Sequence, residues 1–140
     1  LTIFLVYNNP SYHNTYARAF LCFDVSNYEL RLDGSPQIIQ LADGGGTLNG
    51  PAWVSNEGPT LLTVVREAGN HSIQRNLDTP LTSAALTTPA FRAFSLGENG
   101  LGSSQNIDLA CVYVYNTALG SADIASMQEF LSNKYGLGLF

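Results

Sequence analysis

The residues of this chain that could do chemistry are mostly loop residues. Trp53, Tyr12, His13 and Tyr16, with Asn49 and Asn56, are the types that build a sugar platform. Aromatic faces stack on the apolar face of a pyranose, and side-chain amides bond its hydroxyls. The plain alternative for Trp53 is a plug at the edge of the fold beneath its own loop. Asn8, Asn9, Asn14, Asn99 and Asn106 extend the amide-rich chemistry and suit sugar hydroxyls or tight turns equally. Asp43, followed by Gly44, Gly45 and Gly46, offers a carboxylate and exposed loop carbonyls, the hard ligands that calcium takes,. A single acidic residue in a glycine-rich turn is more often only a turn.

Reaction chemistry has little to stand on. Glycoside hydrolysis needs two carboxylates at a set separation. Glu98 and Asp108 are separated by a flexible loop and a strand start, while Glu29 and Asp33 lie on a strand face that alternation turns to water. There is no G-x-S-x-G, no H-E-x-x-H and no phosphate loop. The two histidines, His13 and His71, are far apart in the chain, and nothing marks a Ser/His/Asp set. Cys22 and Cys111 each lie in an apolar segment without a Cys-x-x-Cys partner, which favours buried core thiols over a disulfide or a metal site,. The chain reads as non-catalytic. Asn70-His71-Ser72 is an N-glycosylation sequon at an expected hairpin tip, of consequence only in a secreted eukaryotic protein,.

Extended segments must position these loops. Leu1–Tyr7 is a continuous apolar strand stopped by Asn8, Asn9 and Pro10, and Ala17–Val25 follows the aromatic loop. In Tyr28–Asp33 the leucines alternate with Glu29, Arg31 and Asp33, so one side faces water. Asp33-Gly34 makes a hairpin turn into Gln37–Ala42,. From Asp43 to Pro59 the chain reads as a long glycine-rich loop carrying Trp53. Thr60–Glu67 and His71–Leu77 form a hairpin across Ala68-Gly69-Asn70, and Asp78–Pro89 leads irregularly to strands Phe91–Gly97 and Gln105–Asn116. That last strand sets Leu109, Cys111 and Tyr113 against Ala110, Val112 and Val114, so it belongs in a sheet covered on both sides.

One helix closes the pattern. Ser121 is expected to accept its free N–H groups, and Asp123 suits the positive end of its dipole,. Ile124, Met127, Leu131 and Tyr135 share one face, with Gln128, Glu129, Ser132 and Lys134 left to water. Gly136 is the left-handed stop.

The run FRAFSLGENG LGSSQNIDLA CVYVYNTALG SADIASMQEF LSNKYG, with an Ile-Asp strand ending VYVYN, the turn TALGSADI and a helix ending KYG, resembles the C-terminal part of the concanavalin A-like lectin/glucanase jelly rolls, in particular their laminin-G-like branch. The resemblance is detailed over the last third. It implies an all-β, antiparallel two-sheet jelly-roll sandwich with one C-terminal α-helix, spanning residues 1–140 as one domain that lacks its first strands or is cut from a longer chain. The same sandwich hosts lectins, hydrolases, adhesive modules and virus fibre or capsid domains. The glucanase pattern Glu-x-Asp-x-x-Glu is absent here, and so is the closely spaced Asp/Asn calcium set of the sandwich lectins.

Composition sets the outer bounds. The 140 residues are 45% hydrophobic and only 12% charged, with a formal net charge of -5, so Asn, Ser, Thr and Gly carry the solubility,. Five arginines are scattered singly and Lys134 is the only lysine, which argues against a nucleic-acid partner,. No apolar run has the length for membrane insertion. The expectation is a lectin-like recognition or adhesion module on an extracellular or virion surface, binding glycan or a surface protein. The alternative is a structural virion protein that decorates or cements a larger particle. In either case an open sheet edge would serve homo-oligomer or larger assembly.

Overall fold

A computed structural model describes residues 1–8, 18–24, 28–33, 38–43, 46–52, 58–84, 95–96 and 108–140. These form ten strands and one helix: β1 (Thr2–Asn8), β2 (Arg18–Asp24), β3 (Tyr28–Asp33), β4 (Ile38–Asp43), β5 (Gly46–Ala52), β6 (Pro59–Glu67), β7 (Asn70–Arg75), β8 (Leu81–Ser83), β9 (Ser95–Leu96), β10 (Asp108–Tyr115) and α1 (Ser121–Tyr135). Two five-stranded sheets result, in the orders β10-β1-β6-β7-β8 and β5-β4-β3-β2-β9. Every pairing is antiparallel. The fold is all-β with a C-terminal helix, as the succession of extended segments and the terminal amphipathic pattern lead one to expect.

The sheets close on one apolar layer. Ile3, Leu5 and Tyr7 of β1, Leu62 and Val64 of β6 and Ile73 of β7 meet Leu30, Ile39, Leu41 and Leu48 of the second sheet. A strand alternates its side chains, so β1 turns Phe4 and Val6 to the other side. There they join Leu61 and Leu131 in a second cluster beneath α1. The first sheet is therefore apolar on both faces. Its outer cover is the helix, which explains why β1 reads as unbroken hydrophobic sequence.

The sequence places β10 correctly but mistakes its phase. A bulge between Val6 and Tyr7 pairs Val6 with Cys111 and Tyr7 with Leu109, leaving Ala110 unpaired,. Leu109 thus shares the inter-sheet layer with Val112 and Val114, while Cys111, Tyr113 and Tyr115 face the helix. Among the described residues no strand lies beyond β10. Cys111 is a free thiol that is half-buried on the helix side, and the Cys22 side chain lies outside the described residues.

Two expected loops contain strands. The Asp43–Pro59 segment holds β5, and Asp78–Pro89 holds the short β8. The β6–β7 turn is Ala68-Gly69 alone, with Glu67 opposite Asn70 and Gly69 at φ 73°. Glycine and proline at positions 46, 50 and 51 suppress the usual strand signal in β5.

The helix has its expected apolar face, since Ile124, Met127, Leu131 and Tyr135 all pack on the outer cluster. Two details differ. Gly120, not Ser121, is the N-cap, extended at φ -68° and ψ 162° with no side-chain cap. Its carbonyl takes the first helical bond from Ile124 N–H at 3.0 Å, and Ser121 lies exposed in the first turn. Gln128 and Ser132 are buried rather than wet. Gly136 ends the helix at φ 63°, where the Leu137 N–H reaches back to Ser132 O at 2.9 Å, a Schellman closure,. Ser132 Oγ then accepts the Leu139 N–H at 3.0 Å, which folds the tail onto the same cluster.

Candidate functional site

The second sheet turns Leu30, Ile39, Leu41 and Leu48 inward, so its outer face carries the residues between them,. Arg31, Gln40 and Asn49 form one row there, straight across β3, β4 and β5: Arg31 is opposite Gln40, and Gln40 opposite Asn49. Arg31 Nε donates to Gln40 Oε1 at 3.2 Å, and Gln40 Nε2 donates to Asn49 Oδ1 at 2.8 Å. The central glutamine is only 9% exposed, whereas Asn49 is exposed and Arg31 half-buried. A glutamine committed on both its oxygen and its nitrogen has one orientation, and it fixes its two neighbours.

A local irregularity sets the outer member of the row. Between Ile38 and Gln40 the β4–β5 ladder gains one residue on β5, since Ile38 pairs with Ala52 and Gln40 with Asn49. Gly50 sits in this bulge against the core. A Cβ there would lie 2.7 Å from Ile39 O, closer than such atoms can approach, and 3.0 Å from Ile73 Cδ1, a tight contact. The glycine lets β5 press against β7 while Asn49 keeps its place on the outer face. Arg75 Nη1 also bonds Ala52 O at 3.1 Å, tying the first sheet to the end of β5.

The row offers a guanidinium and two amides. These bind hydroxyls and carbonyls. Neighbouring strands lie about 4.8 Å apart, so three strands present polar groups over roughly 10 Å. That span suits an extended polar ligand lying across the strands.

Of the sugar-platform candidates only Asn49 belongs to this row. Tyr12, His13, Tyr16, Trp53 and Asn56 lie outside the described residues. Asp43 ends β4 and pairs with Gly46, which opens β5; Gly44 and Gly45 lie outside the described residues. The Asp43 side chain is outside the described set. No three His, Cys, Asp or Glu side chains converge as a metal ion would require among the described residues. No helix there is long and apolar enough to cross a membrane.

Arg31 and Gln40 were missed as site residues, although the signal was present. The pairing of Asp33 with Ile38 sets Arg31 opposite Gln40, and the pairing of Asp43 with Gly46 sets Gln40 opposite Asn49. Reading Asp43–Pro59 as one long loop, without β5 in it, hid the second step.

On the far side of the molecule a different cluster surrounds the lone lysine. Lys134 Nζ stands 6.0 Å from the Tyr113 ring centre, 5.6 Å from Phe130 and 5.3 Å from Tyr135. It also donates to Tyr113 OH at 3.4 Å, and this bond chiefly raises its pKa above the ordinary 10.5. The Tyr135 hydroxyl is raised above 10.0, first by hydrogen bonding with Cys111 and then by desolvation. These contacts fasten the outer side of α1 to β10.

No protein-family model and no curated protein matches this chain.

Proposed function

We propose that this chain is a non-catalytic, lectin-like recognition module of the concanavalin A-like jelly-roll type. It is displayed on an extracellular or virion surface and binds a glycan, or another polar surface molecule, across the outer face of its second sheet. The observation that supports this reading is the Arg31–Gln40–Asn49 row, whose central amide is nearly buried and bonded on both its oxygen and its nitrogen. A merely solvated face has no need of an ordered, desolvated glutamine. The two antiparallel sheets, the terminal helix and the KYG helix end are those expected of the jelly-roll resemblance.

A glycan array probed with the intact chain tests it. A bound sugar whose signal falls at least tenfold in both Gln40→Ala and Asn49→Ala supports the row as the site. Binding untouched by both variants, but lost in Trp53→Ala, would move the site to the loop that carries Trp53.

The second reading, a sandwich that cements a larger particle without a ligand, draws on β10, which has no further strand beside it among the described residues. A strand edge is a pairing surface. An empty array together with concentration-dependent association in light scattering favours this role.

A further inference from the structure

We propose that Asn70 is an N-glycan acceptor and that its glycan projects from the sheet opposite the ligand row. The proposal rests on the surface-display part of the reading above and not on ligand binding. Asn70-His71-Ser72 is the only Asn-x-Ser/Thr triplet in the chain whose middle residue is not proline. Transfer requires the Asn amide and the hydroxyl two residues later to be presented together.

The hairpin meets that requirement. Asn70 is exposed and opens β7 directly after the two-residue turn Ala68-Gly69. In a strand, residues two apart share a face. Ser72 is therefore on the same side as Asn70, the side on which Gln74 touches α1. His71 points the other way and is fully buried with Ile73 on the inner side. The variable residue of the triplet anchors the strand, and the two reacting residues face outward. A glycan here would stand at the tip of the first sheet, away from Arg31, Gln40 and Asn49.

The chemistry uses a lipid-linked oligosaccharide pyrophosphate as donor. The Asn70 amide nitrogen forms a bond to the anomeric carbon of the first sugar. The carbon–oxygen bond to pyrophosphate breaks with its electron pair, and one amide proton passes to a base of the transferase.

The test translates the full chain behind a cleavable signal sequence into microsomes and scores only protease-protected chains. One upward mass step is expected, reversed by peptide N-glycosidase, lost in Asn70→Gln and Ser72→Ala, and kept in Ser72→Thr. Protected chains with no step, or a step that survives Asn70→Gln, overturn the proposal. An empty glycan array would count against ligand binding and leave this result untouched.

Discussion

Gln128 Nε2 donates to Thr63 Oγ1 at 3.0 Å and to Gln74 Oε1 at 2.8 Å, so one buried amide on α1 clasps two strands of the first sheet. Both N–H groups are used, and Gln74 passes the chain on through its own amide to Asp78 O at 2.8 Å. This polar clasp lies beside an otherwise apolar seam. It sets which turn of the helix meets which strand, a register that greasy contacts alone leave loose.

Gln128→Ala should therefore lower stability by about 1–3 kcal/mol, because Thr63 and Gln74 lose a buried partner. In a double-mutant cycle with Thr63→Val, urea denaturation should return a coupling of about 0.5–3 kcal/mol. Additive losses would show that the clasp does not hold the helix.

Leu131 is completely buried between α1 and the first sheet. Leu131→Ala should cost about 2–5 kcal/mol through the lost contacts and the space left behind. Helical circular dichroism should melt earlier than the sheet signal in this variant if the helix detaches first.

Gly50→Ala forces a methyl group to within 2.7 Å of a backbone oxygen that cannot rotate aside. The expected loss is about 1–3 kcal/mol, as for other overpacked sites. Because Asn49 is the neighbouring residue, array binding should weaken more than the stability loss explains, measured well below the melting temperature.

Lys134 and Tyr135 both have folded-state pKa values raised above their ordinary 10.5 and 10.0. A group raised on folding contributes in full below its unfolded pKa and loses that contribution as pH climbs through the folded value. The melting temperature should fall above about pH 9.5, for the lysine through lost charge and for the tyrosine through the cost of ionising beside Cys111. Tyr135→Phe should flatten the first part of that fall, whereas an unchanged alkaline profile would detach Tyr135 from it.

Much of the scaffold was legible because period and burial agree. β1, β6 and α1 show their partners in the spacing of their apolar residues, and Gly136 marks the helix end. What was illegible has local causes. The bulge at Ala110 shifts the phase of β10 by one residue, and no side-chain pattern announces it. Gln128 looks solvent-facing because its partners, Thr63 and Gln74, come from distant segments. Ser121 looked like a cap because a serine begins the helix, but the extended Gly120 already turns the chain. At the site, Asn49 could be chosen by type alone, whereas Arg31 and Gln40 emerge only once both hairpin registers are known.

β1 lies between β10 and β6, with Thr2 opposite Tyr115 on one side and Val65 on the other. A growing polypeptide can dock β1 on β6 early, yet the opposite edge must wait until Tyr115 has left the ribosome. Through that interval the backbone of an almost wholly apolar strand stays half paired, which favours chaperone capture and slows maturation. Synthesis rate across the stretch from β7 to β10 should accordingly govern the soluble yield more strongly than the stability of the finished protein does.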